Sequence, residues 1–168
     1  ETGSLSIEQI LKGLRMRCIE GDLTLVCCGT AYKNKGVQQL LDAIIQFLPS
    51  PEDVESVEGI DVKTNEETKR LCKESEPFSA LAFKIATDPF VGRLTYCRVY
   101  SGVLDSGSYV QNTTKDNKER IGRILQMHAN SREEIKRASA GDIIALIGLK
   151  NTTTGDTPSD LNSQVLLE

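Results

Sequence analysis

Side chains that commonly carry chemistry are sparse here and poorly spaced for it. The single histidine, His128, follows Met127, and no nucleophile or second base is placed beside it by spacing. It reads as a loop or inter-domain surface residue. Five cysteines (Cys18, Cys27, Cys28, Cys72, Cys97) make an odd count without a CxxC, so no metal site is expected. They read as small apolar residues in a reducing, cytoplasmic compartment. The carboxylate pairs Glu66-Glu67 and Glu133-Glu134 are adjacent and lie in polar stretches, a poor arrangement for acid–base work, and Arg132 with Glu133 and Glu134 reads as a solvated turn or short helical corner. A phosphate-cradling G-x-x-x-x-G-K-[ST] loop is absent. Two strings begin like Asn-Lys-x-Asp, whose carboxylate reads a guanine edge, but Asn34-Lys35-Gly36 is followed by Val37 and Asn117-Lys118-Glu119 by Arg120. No catalytic residue is therefore expected. What remains is a basic group: Lys115, Lys118, Arg120 and Arg123 in and after one turn, with Arg93 and Arg98 on another segment. Residues two apart on a strand share a face, so Lys118 and Arg120 can point together and take phosphates. The alternative is a solvated charge run, since Asp116 and Glu119 interrupt the group.

The elements that must position these residues differ along the chain. Ser6-Ile7-Glu8-Gln9 is a capping box opening an amphipathic helix through Ile7, Ile10, Leu11, Leu14 and Cys18, with Gly21 as its stop. Leu23–Cys28 is a short apolar run, expected to be a strand buried on both faces. After the loop Gly29–Gly36, Val37, Leu40, Leu41, Ile44, Ile45 and Leu48 form a second helical stripe stopped by Pro49. Residues 1–50 thus read as the end of a larger α/β domain, with an exposed apolar edge around Leu25 and Ile44. Residues 51–77 are rich in acids and poor in large apolar residues, and read as an exposed acidic linker with room for a short strand or a helical turn. Residues 78–168 carry candidate strands at Ser79–Ala86, Gly92–Ser101, Gly107–Asn112, Glu119–Gln126, Asp142–Ile147 and Val165–Leu167, separated by turn clusters. That pattern fits an antiparallel β-barrel.

The chain has 168 residues, 20 Lys+Arg against 24 Asp+Glu, and a net charge of −4. It is 39% hydrophobic and 26% charged, an ordinary globular balance. The negative charge argues against a general nucleic-acid coat and no DNA partner is expected. No apolar run approaches membrane-span length, and no membrane partner is expected. The first residue is Glu rather than Met, as in a segment of a longer chain.

Several strings resemble translation elongation factor G. They include Glu76-Pro77-Phe78-Ser79-Ala80-Leu81-Ala82-Phe83-Lys84-Ile85, Thr87-Asp88-Pro89-Phe90-Val91-Gly92-Arg93-Leu94-Thr95, Arg120-Ile121-Gly122-Arg123, Gln126-Met127-His128-Ala129-Asn130 and Thr153-Thr154-Gly155-Asp156-Thr157. Upstream, Cys28-Gly29-Thr30-Ala31-Tyr32-Lys33-Asn34-Lys35-Gly36 resembles the family's last guanine-binding motif, with Thr30 where Ser is usual. Pro158-Ser159 departs from the family's Leu-Cys, and an altered strand edge is expected there.

The resemblance implies a fragment of a ribosomal translocation GTPase: a partial P-loop GTPase α/β domain followed by a translation-factor-type antiparallel β-barrel. In the full-length parent, Thr30, Ala31 and Tyr32 would belong to the guanine site, with GTP or GDP and Mg as cofactors. None is expected to bind this chain tightly. The barrel would dock on the small ribosomal subunit's RNA, with Arg93, Arg98, Lys118, Arg120 and Arg123 as contact candidates. It would also pack on the parent's other domains, with Met127 and His128 as inter-domain candidates. The rival expectation is a standalone ribosome-associated or RNA-binding adaptor built on the barrel. A small-molecule enzyme is disfavoured because no phosphate motif or catalytic constellation occurs.

Overall fold

The computed structural model describes residues 3–54, 56–129 and 131–167. Asn130, the last residue of one motif quoted above, lies outside the described residues, as do Glu1 and Thr2. The chain divides into two compact units, residues 1–53 and 54–168.

In the first unit the capping box forms as its spacing predicts. Ser6 Oγ accepts from Gln9 N–H at 3.2 Å, and Gln9 Oε1 accepts from Ser6 N–H at 2.9 Å. They open α1 (Ile7–Ile19). Gly21, at φ +77, donates to Cys18 O at 3.2 Å and ends the helix. Helix α2 (Val37–Phe47) stops before Pro49. Arg15 ties the helices together: its guanidinium donates to Gln46 O at 3.0 Å and to Asp53 Oδ2 at 2.8 Å. Neither helix buries a residue fully. Leu25, Leu40, Ile44 and Phe47 line an open groove of about 360 Å³. The expected strand at Leu23–Cys28 is not formed; the segment is unpaired and mostly exposed. Apolar residues supply the tendency to extend, but a strand exists only where a neighbouring strand takes its N–H and C=O groups; Leu23 N–H donates instead to Arg17 O at 3.2 Å, and no described strand pairs with the segment.

The second unit is antiparallel throughout. Its strands are β1 (Ser56–Asp61), β2 (Glu67–Leu71), β3 (Ser79–Asp88), β4 (Gly92–Ser101), β5 (Val103–Asp105), β6 (Tyr109–Asn112), β7 (Asn117–Arg120), β8 (Arg123–His128), β9 (Ser131–Ile135), β10 (Arg137–Ser139), β11 (Ile143–Ile147), β12 (Pro158–Ser159) and β13 (Val165–Leu167). Eight of them form one sheet in the order β7-β6-β12-β3-β4-β11-β8-β9, and β5 pairs with β10. Val99, Val110, Ile121, Ile124, Ile144 and Leu146 lie at its core, all essentially inaccessible. The rim between β7 and β8 is stitched by Ile121 N–H to Ser108 O at 2.9 Å and Gly122 N–H to Ile147 O at 2.7 Å.

Three sequence expectations are corrected here. Residues 51–77 are not simply an exposed linker: β1 and β2 form a hairpin in which β1 also pairs with β13. At Gly59 a Cβ would lie 2.7 Å from Leu166 O, so glycine permits that close pairing. Arg132-Glu133-Glu134, read as a solvated turn or helical corner, is strand β9; its polar side chains hid a strand that pairs on one side only. Pro158-Ser159 is no edge. It is a two-residue strand wedged between β6 and β3, with both residues buried. Its brevity spares the ladder most of the cost of proline's missing donor.

Candidate nucleic-acid interface

The basic residues sit on elements whose alternation decides their use. The β6–β7 hairpin pairs Tyr109 with Arg120, Val110 with Glu119, Gln111 with Lys118 and Asn112 with Asn117. Its turn needs a positive φ, +48° at Asp116. Period-two alternation sends Lys118 and Arg120 to solvent and Glu119 inward. Lys118 Nζ lies 4.5 Å from the Tyr109 ring centroid and Arg120 Cζ lies 5.9 Å from it. Tyr109 itself is half exposed. Asp116 accepts from Gln111 Nε2 at 2.9 Å, so its carboxylate is engaged.

Glu119 is occupied on the inner side. Its carboxylate accepts from Lys150 N–H at 2.6 Å, Asn151 N–H at 2.9 Å and Thr152 Oγ at 2.6 Å. Burial pushes its pKa up, but the bonds from Asn151, Thr152, Lys150 and Asn112 outweigh this and hold it below the usual carboxylate range. Asp156, also buried, accepts from Asn112 Nδ2 at 2.9 Å and Thr153 N–H at 2.7 Å and pairs with Lys115 Nζ at 2.9 Å. Burial again opposes these bonds and the net shift is downward. This inner network fixes the 150–156 loop. Gly155 N–H donates to Ala82 O at 2.7 Å and Ala82 N–H to Asp156 O at 2.9 Å, at the bulge where the β3–β4 register shifts.

The sequence candidates therefore separate. Arg93 donates to Lys150 O at 2.7 Å and to Thr152 O, so it holds the loop from within. Arg98 lies on β4 over the Tyr100 ring, 5.3 Å from its centroid. Arg123 faces Glu134 at 3.6 Å on the surface. Only Lys118 and Arg120 are gathered on one exposed aromatic. Met127 packs against the outer cluster of Leu94, Leu125 and Ala145, while His128 is exposed with Nε2 4.0 Å from Glu133. The residue missed from sequence is Tyr109. Counting outward from the turn at Asn112 and Asn117 places it opposite Arg120, which was the available signal.

In the first unit, Thr30 and Lys35 form a bridge, with Thr30 N–H donating to Lys35 O at 2.9 Å. Ala31–Lys33 form a 3-10 turn whose first N–H, that of Ala31, has no acceptor within the turn. A Cβ at Gly36 would lie 3.1 Å from Cys28 O, so the loop closes tightly on glycine. Tyr32 is fully exposed. Among the described residues, no group of three His, Cys, Asp or Glu side chains is placed to hold a metal ion.

The second unit is thus an antiparallel β-domain built on one eight-stranded sheet. Residues 92–158 match the family described as elongation factor Tu domain 2. In fold, the chain is similar to a protein of Thermus thermophilus solved by crystallography, with a TM-score of 0.64 and 22% identity. That likeness covers 94% of this chain and 21% of the other, so the chain spans about a fifth of the length of that protein. Among the described residues, no helix is long and apolar enough to cross a membrane.

Proposed function

We propose that the chain is the non-catalytic, ribosome-docking portion of an elongation factor G-like GTPase of protein synthesis. On this reading the β-domain docks on small-subunit ribosomal RNA through the exposed face of β7. The observation that carries it is the pairing of Lys118 and Arg120 over Tyr109, with Glu119 turned inward. Of the two acids that interrupt the basic group in the sequence, Glu119 is thereby removed from the face, while Asp116 stays exposed in the turn with its carboxylate on Gln111 Nε2. Such a face gives phosphate-directed, salt-sensitive and weakly sequence-selective binding.

The first unit fits the same reading. Its unpaired segment Leu23–Cys28 and open apolar groove match the edge of a larger α/β domain, the parent's GTPase domain. There the Thr30-Ala31-Tyr32 loop would contribute to guanine recognition, the Ala31 N–H being its available donor. Met127, on the outer apolar cluster, and its neighbour His128 are proposed to meet other domains of the parent. The parent would act in the cytoplasm with GTP or GDP and Mg.

Hydroxyl-radical footprinting of small ribosomal subunits tests this reading. At low salt the native 168-residue chain is expected to protect a discrete RNA backbone segment weakly, and the double variant Lys118→Gln/Arg120→Gln is expected to lose that protection. Equal protection by both proteins would overturn the assignment of β7. Tight protection at physiological salt by the 168-residue chain alone would favour the standalone adaptor.

A further inference from the structure

Lys118 and Arg120 are long, flexible cations at the end of the sheet, since β7 has a strand neighbour on one side only within its eight-stranded order. Capturing such side chains against a phosphate normally costs rotamer freedom. Here both are already drawn to one ring: Lys118 Nζ stands 4.5 Å and Arg120 Cζ 5.9 Å from the Tyr109 centroid. Arg120 Nε additionally donates to Gly107 O at 3.3 Å, and its terminal N–H groups donate to no described residue. The adjoining acids are engaged elsewhere, Glu119 by Lys150, Asn151 and Thr152, and Asp116 by Gln111. Neither Lys118 nor Arg120 forms an ion pair with a described residue. Tyr109 remains 51% exposed, too much for a ring whose purpose is to fill the core.

The geometry points to Tyr109 as a positioning residue that holds Lys118 and Arg120 together as one preformed pair for an RNA phosphodiester. This inference rests on the RNA-docking reading above. The cations supply the charge and the ring supplies their alignment. Removing the ring therefore lowers affinity while leaving the number of counterions released on binding unchanged, whereas removing the cations changes both.

The test measures fluorescence anisotropy of the labelled 168-residue chain titrated with purified small ribosomal subunits. Tyr109→Leu, Tyr109→Phe and Lys118→Gln/Arg120→Gln are compared, each with a salt titration and a thermal melt. Tyr109→Leu is expected to weaken binding about five- to thirtyfold, an effect of the size expected for two surface cation–π contacts. Its salt slope and Tm stay native, and Tyr109→Phe keeps native affinity. Native affinity in Tyr109→Leu, alongside weakened binding by the double charge variant, overturns the positioning role and leaves the docking reading standing. Native affinity in the double charge variant overturns the docking reading, and the positioning role with it. Weakening in Tyr109→Phe would move the effect to the hydroxyl, and a lowered Tm in Tyr109→Leu would make the ring a packing element; either result overturns the inference.

Discussion

Replacing Glu119 should separate the inner scaffold from the outer binding face. Glu119→Ala removes three hydrogen bonds from one buried carboxylate and strands the N–H groups of Lys150 and Asn151. Each charge-assisted bond is worth about 1.5–3 kcal/mol, and each stranded buried donor costs about 1–3 kcal/mol. These terms overlap, so the expected loss is about 3–5 kcal/mol. For a domain of this size that corresponds to a fall of roughly 10–20 °C in Tm. Glu119→Gln keeps an oxygen for the two N–H groups and turns an amide toward Thr152. The Thr152 hydroxyl already accepts from Asn112 Nδ2 at 3.0 Å and can rotate to accept again. The expected loss there is about 1–2 kcal/mol. Urea unfolding followed by far-UV circular dichroism measures both. A Glu119→Ala protein within about 0.5 kcal/mol of native would refute the strut, because such changes are typical of unconstrained surface sites. Equal losses in the two variants would refute the hydrogen-bond apportionment.

Three further outcomes follow from the same structure. The folded pKa values of Glu119 and Asp156 are lowered, so their stabilisation is complete above the unfolded carboxylate range near about 4 and is lost as pH falls through the folded values. Urea midpoints should fall steeply below about pH 4–5 in the native chain and less steeply in Glu119→Gln; parallel profiles would contradict this. Gly102 sits at φ +71, and a Cβ there would lie 2.6 Å from Glu76 O and from Phe78 Cα, so Gly102→Ala should cost about 2–4 kcal/mol in urea unfolding. The Cys97 thiol is fully buried and its pKa is pushed up to about 12, whereas Cys27 and Cys28 are exposed. Thiol titration with a dithiobenzoate reagent at pH 8 should therefore label Cys27 and Cys28 rapidly and Cys97 only on unfolding.

The antiparallel sheet was legible where side chains alternate or turns punctuate. Gly92–Ser101 and Val165–Leu167 coincide with the expected strands, and the Lys115-Asp116-Asn117 turn fixes the β6–β7 register. Strand β9 was hidden because Ser131–Ile135 is mostly charged and exposed, leaving little periodicity to read. The two-residue β12 was hidden because its existence depends on the neighbours on either side. Leu23–Cys28 failed in the opposite sense: its residues suit a strand, but pairing requires a partner strand that no described residue supplies. In the site, Lys118 and Arg120 were legible from alternation alone, whereas Arg93 looked equally available. Its commitment to Lys150 O and Thr152 O comes from a loop more than fifty residues away in sequence, a relation no local pattern encodes.

The salt dependence of small-subunit binding bears most directly on the account. The affinity of the native chain and of Lys118→Gln/Arg120→Gln should be measured across a salt series, and the logarithm of each plotted against that of salt concentration. Two phosphate contacts on β7 predict that the variant's slope is shallower by about 1.4–1.8, with weaker binding at every low-salt point. Parallel slopes with equal affinities would contradict RNA docking through Lys118 and Arg120.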